Sequence, residues 1–110
     1  MRLLKMTPKR FINLIPKIRK AAKKIGYAIG THGNFKRDYD LIAVPWTNKA
    51  SHHHTLAEAV KKASGGVRWR IYDDCNNPHG RICYAFDWDR NNFEPKNYCD
   101  LSVMPRLKEN

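Results

Sequence analysis

Apolar residues at Phe11, Leu14, Ile15, Ile18, Ala21, Ala22 and Ile25 recur at three- and four-residue intervals, which is the spacing of one face of an α-helix. Thr7 and Pro8 suit its start, as cap and first helical residue. Gly26 suits its end, as the residue that turns into left-handed backbone. Pro16 falls inside the stripe, so it either kinks the helix or opens a second one capped by Asn13. Beyond Gly26 the apolar runs are short and bounded by turn formers, as strands are. They predict strands over 27–31, 41–46, 67–72, 81–88 and 97–104. A second helix is predicted from about Thr55 to Ala63, carried by Leu56, Ala57, Ala59, Val60 and Ala63 and closed by Gly65 and Gly66. The resulting order, α-β-β-α-β-β-β, implies one α+β domain with a mixed or antiparallel sheet and both helices on one face. Residues 1–25 form a basic helical segment packed on a core made by 26–110.

Charge changes the picture. The chain has 110 residues and a formal net charge of +11. No Asp or Glu precedes Asp38, while eleven Lys and Arg do; from Asp38 onward ten cations face ten acids. The excess therefore belongs to the first helix and the turn after the first strand. Such asymmetry points to an anionic partner, a nucleic acid or another polyanion, with Lys17, Arg19, Lys20, Lys23 and Lys24 as its contacts. A solvated basic helix face explains the same residues about as well. No segment approaches the ~20 apolar residues of a membrane span. Phe11 to Ile18 is broken by Asn13, Pro16 and Lys17, unlike a signal peptide. Cys75, Cys83 and Cys99 form no Cys-x-x-Cys pair, so a reducing, cytoplasmic setting is expected.

The most specific chemistry lies in Gly33-Asn34-Phe35-Lys36-Arg37-Asp38-Tyr39-Asp40-Leu41. Gly33 lets backbone approach a phosphate, and exposed N–H groups of such a turn bind anionic oxygens. Asn34, Lys36 and Arg37 add donors and charge. Asp38 and Asp40 are two apart at the head of a strand and so share a face. Asp100 interrupts the apolar run Tyr98-Cys99-Asp100-Leu101, a costly place for a carboxylate without a partner or a metal. If the last strand lies beside the second, three carboxylates meet and suit Mg²⁺, or Mn²⁺ in its place.

These residues resemble the nucleotidyltransferase superfamily of the DNA polymerase beta type. The resemblance covers roughly 26–63 and 97–105, with Asn34 where the family usually has serine and the acid pair directly after Arg37. It implies a nucleotidyltransferase-like fold, an NTP partner, Asp38 and Asp40 bridging the metals, Asp100 as third ligand acting on the attacking hydroxyl, and Gly33 and Asn34 on the terminal phosphates. The longer frame (Tyr-Ala-Ile-Gly-Thr-His-Gly, Leu-Ile-Ala-Val-Pro-Trp, Asp-Leu-Ser-Val-Met-Pro) is similar to small bacteriophage proteins, which implies a viral setting and the host cytoplasm. The alternative is a non-enzymatic basic phage protein that binds nucleic acid or an acidic host protein through its N-terminal segment.

Other residues admit simpler readings. Asp87 and Asp89 read as an acid pair in a polar loop. His52, His53 and His54 point in different directions; a zinc site with Asp73, Asp74, Cys75 and His79 lacks any recognised ligand spacing. Arg68, Arg70 and Arg81 read as the wet face of a half-buried sheet or, less simply, as a phosphate groove. Trp46, Trp69, Phe86 and Trp88 read as core.

Overall fold

A computed structural model of the chain describes residues 5–73, 77–89 and 97–106. Helix α1 runs unbroken from Pro8 to Lys24. Thr7 caps it, its hydroxyl accepting the Arg10 N–H at 3.2 Å. Pro16 sits inside the helix, neither dividing it nor opening a second. The ring removes only the hydrogen bond to the Ile12 carbonyl, and both residues are exposed, where water can take its place. The stripe foreseen for the core does face inward, with Phe11, Ile15, Ile18 and Ala22 buried.

Strands β1 (Tyr27–His32) and β2 (Tyr39–Pro45) form an antiparallel hairpin. Helix α2 (His53–Ser64) follows, then β3 (Arg68–Asp73), a short 3-10 turn (Pro78–Gly80), β4 (Ile82–Asp87) and β5 (Tyr98–Val103). Helix α2 starts two residues earlier than its apolar spacing suggests, because the His52 ring nitrogen accepts the His54 N–H at 3.2 Å and does the work of a cap. It ends at Gly65 in left-handed backbone (φ 79°), with Gly65 and Gly66 N–H groups bonded to the Lys62 and Lys61 carbonyls.

The sheet order is β1-β2-β5-β4-β3. Only β2 and β5 run parallel; the other neighbours are antiparallel. The chain is thus a single α+β domain with two helices against one face of a mixed five-stranded sheet. Alternate residues of the central strands (Tyr39, Leu41, Ala43 on β2; Cys99, Leu101, Val103 on β5) are buried in one core with the helices. Phe11 anchors it, its ring centroid 4.8 Å from Tyr39, 5.3 Å from Phe35 and 6.0 Å from Trp88. The intervening residues point to the opposite face, which no helix covers among the described residues.

Three sequence expectations are corrected here. Trp46 is not core: its side chain stands 77% exposed past the end of β2. Its backbone N–H is taken by the Gly26 carbonyl at 2.7 Å; the alternation of β2 buries Tyr39, Leu41 and Ala43, so residue 46, just past Pro45, falls on the side of Asp40, Ile42 and Val44 and away from the core. Asp87 is not in a polar loop but on β4, 3% exposed, with Oδ2 2.7 Å from Arg68 and 3.7 Å from Arg70. Arg68 and Arg70 are correspondingly not a solvated face. The β3–β4 register shifts between Trp69 and Ile71, and the extra residue at a bulge re-aims its side chain, which lets both cations reach one acid.

Candidate metal centre

The centre is built by strand pairing. In β1–β2 register His32 lies opposite Asp40, and in β2–β5 register Asp40 lies opposite Asp100. Asp38 enters from the residue before β2. One oxygen from each of Asp38, Asp40 and Asp100 falls within 4.8 Å of the others. All three are half-buried on the open face of the sheet. Parallel pairing of β2 with β5 is what joins acids sixty positions apart.

Neighbours hold the acids in place. Tyr98, two residues before Asp100 and on the same face, donates its hydroxyl to Asp38 Oδ2 at 3.0 Å. The Arg70 guanidinium lies over the Tyr98 ring, 4.5 Å from its centroid. His32 Nδ1 is 3.8 Å from Asp40 Oδ2. On the other side, Arg81 donates to the Ser102 hydroxyl at 2.9 Å. Arg81, Ser102, His32, Asp40, Asp100 and Met104 border a cleft of about 310 Å³. Tyr98, His32 and Ser102 were not singled out as site residues from the sequence, and Arg81 was read there first as a solvated face and only second as part of a phosphate groove. Period-two spacing from Asp100 marks Tyr98 and Ser102; His32 and Arg81 need the strand registers.

Packing acids together raises their proton affinity. Partial burial, then the charges of Asp38 and Asp100, push Asp40 up to about 6, and a hydrogen bond shared with Asp38 favours its protonated form. Burial and the Asp38 charge raise Asp100, with Arg81 opposing. Burial, the hydrogen bond to Asp38 and nearby acids raise Tyr98. Ionisation of Asp40 and Asp100 is therefore opposed by burial and by their acidic neighbours, and a cation shared within the cluster offsets that repulsion.

The turn over 33–37 lies beside this cluster. Gly33 adopts φ +77°, and a β-carbon there would stand 3.5 Å from Asp40 Oδ2, so the turn backbone passes close to the acids. The Asn34 side-chain oxygen accepts the Lys36 N–H at 3.1 Å, which commits that atom to shaping the turn. Phe35, at φ 62°, packs against Phe11 and Tyr39. Lys36 does not border the acid cleft; it lines a separate hollow of about 500 Å³ with Lys5, Thr7, Pro8 and Asn97. Arg37 is exposed.

The five cations assigned to a polyanion (Lys17, Arg19, Lys20, Lys23 and Lys24) are exposed on α1, which packs on the sheet face opposite the acids. They are not brought to the metal centre. The histidines are also apart from it: His53 Nδ1 meets the Tyr84 hydroxyl at 2.6 Å, and His79 is exposed in the 3-10 turn. Asp74 and Cys75, and the side chain of Asp73, lie outside the described residues. No protein-family model matches the chain, and no curated protein is significantly similar to it.

Proposed function

We propose that the chain binds an NTP with Mg²⁺ on the open face of its sheet and transfers a nucleotidyl group to a hydroxyl acceptor. The observation that carries this reading is the approach of three carboxylate oxygens to within 4.8 Å beside the Gly33 turn. The donor set fits the ion: all oxygens, all anionic, from a hard-ligand class that Mg²⁺ prefers and shares with substrate phosphates. Asp38 and Asp40 would hold it, with Asp100 as the third ligand. When bound, it neutralises charge that develops on the phosphate oxygens.

The chain's own groups supply the rest. The acceptor hydroxyl forms a bond to the α-phosphorus, the bond to the pyrophosphate oxygen breaks, and the hydroxyl proton needs a base. Asp100, the third acid of the cluster, is the group we assign to take it. Tyr98 keeps Asp38 turned into the site, and the Gly33 turn offers backbone N–H groups to the leaving phosphates. Arg81 adds a cation at the cleft wall.

The test is incubation with each labelled NTP, Mg²⁺ or Mn²⁺ and a pool of RNA, DNA and protein acceptors. Covalent label that disappears in Asp38→Asn is expected. Absence of label, together with ATP–Mg²⁺ affinity unchanged in Asp38→Asn, overturns the reading.

A further inference from the structure

We propose that the groove between the C-terminal half of α1 and the joined ends of β1 and β2 binds single-stranded nucleic acid, with one base stacked on Trp46. The groove measures about 470 Å³ and is bordered by Arg19, Lys23, Gly26, Ala28, Trp46 and Thr47. Of the three tryptophans, Trp88 is buried and Trp69 is half-buried, its indole N–H bonded to Glu58 at 3.0 Å. Trp46 alone presents a ring to solvent.

That ring is carried on a fixed backbone. The Trp46 N–H bonds to the Gly26 carbonyl at 2.7 Å, the Ser51 N–H to the Ile25 carbonyl at 2.9 Å, and the Ala50 N–H to the Thr47 carbonyl at 3.2 Å. Gly26 packs so closely under this turn that a β-carbon would lie 2.7 Å from Ala50 Cα. With the backbone beneath it already ordered, only the side chain of Trp46 loses freedom when a ligand stacks on the indole.

Charge complementarity names the ligand. Arg19 and Lys23, one helical turn apart, edge the groove within a segment holding eleven cations and no acid before Asp38. Arg19 is fixed as well, its Nε donating to the Ile29 carbonyl on the free edge of β1 at 3.2 Å. Cations along a groove with an aromatic platform between them are the elements of sequence-tolerant single-strand binding. A duplex keeps its base faces stacked and offers none to the indole. A membrane surface is disfavoured because the apolar stripe of α1 is already buried in the core. From the groove, the open-face positions Ala28 with Val44 and Gly30 with Ile42 lead toward His32 with Asp40, about 13 Å along the strand from residue 44 to 40. Binding in the groove stands without the nucleotidyl-transfer reading, since no acid takes part.

The probe is an end-labelled oligothymidylate of about twelve nucleotides, within the usual single-strand site size, titrated in EDTA so that the metal centre is silent. Binding is expected to quench Trp46 fluorescence and to weaken with salt. Trp46→Ala should cost at least about fivefold in affinity, the lower end for a lost stack, and Trp46→Phe should recover part of it. Lys23→Gln should flatten the salt dependence by about one phosphate contact. Heparin and polyglutamate, which carry charge without bases, should bind Trp46→Ala and the parent equally. Oligothymidylate affinity unchanged in Trp46→Ala, or an equal loss for heparin, or equal quenching by duplex or by anionic vesicles, overturns the proposal. A Trp46→Ala melting temperature matching the parent shows that the fold is retained. Label transfer that fails while this binding persists removes only the enzymatic reading.

Discussion

Asp40 carries the clearest consequence at the scale of single residues. Its carboxyl titrates at about 6 because partial burial and two neighbouring acids oppose its ionisation. In the unfolded chain it titrates near the ordinary value of 3.8. Between those pH values the folded protein holds a proton that the unfolded chain has released. The stability this provides is complete below about pH 4 and is lost as pH rises through about 6. Asp40→Asn removes the repulsion, so without divalent cations at pH 8 it should melt above the parent. Mg²⁺ should reverse the ranking: at tenfold over its dissociation constant it adds about 1.4 kcal/mol to the parent and little to the variant. Calorimetry with and without Mg²⁺ at pH 5 and pH 8 checks both signs, because protons compete with the metal at the lower pH. A parent whose melting temperature ignores Mg²⁺ at pH 8 contradicts the metal centre.

At the scale of elements, the β1–β2 hairpin is held by its turn at one end and by Gly26 at the other. Gly26 sits at φ +92°, and a β-carbon there would meet Ala50 Cα and Thr47 Oγ1, each at 2.7 Å. Backbone at that distance cannot swing aside as a long side chain can. Gly26→Ala is therefore expected to cost more than about 2 kcal/mol and to lower the melting temperature by about 10 °C, measurable by thermal unfolding. Gly30 gives the contrast, with nothing within 4 Å of its would-be β-carbon; Gly30→Ala should melt within a few degrees of the parent. The elements were largely legible in the sequence. Both helices, all five strands and their order follow from apolar spacing, Gly26, Gly65 and the Pro residues, since these are local properties of backbone and burial. The first residue of α2 was not, because a histidine cap depends on a ring nitrogen being turned toward the His54 N–H.

For the whole molecule, the sheet separates two chemistries. Acids occupy its open face; of the α1 cations, Arg19 and Lys23 reach the β1 edge, while Lys17 and Lys20 are exposed on a helix that packs on the opposite face. Interactions across such a distance are screened at physiological salt, where the Debye length is about 8 Å. The two faces should therefore respond independently. The combined variant Lys17→Gln, Lys20→Gln is expected to elute from heparin at lower salt while its Mg²⁺-induced rise in melting temperature matches the parent. A loss of the Mg²⁺ response in that variant would show that the faces are coupled. The Arg68–Asp87–Arg70 group belongs to this scale too: it ties β3 to β4 through a carboxylate only 3% exposed.

What the amino-acid order determined by itself is local: that two helices and five strands form and in what chain order, which faces are apolar, where charge accumulates, and which three acids stand out. Hydrophobic period, capping and turn chemistry act over a few residues, so they can be read along a line. Tertiary structure alone decided that β2 runs parallel to β5 and sets Asp40 opposite Asp100, that Asp87 becomes a buried partner for two arginines, that Lys36 turns away from the acids, and that Trp46 is left in solvent. The strand pairings depend on which distant segments meet and in what register, and a shift of one residue would send Asp40, Asp100 and Asp87 to the other face of the sheet.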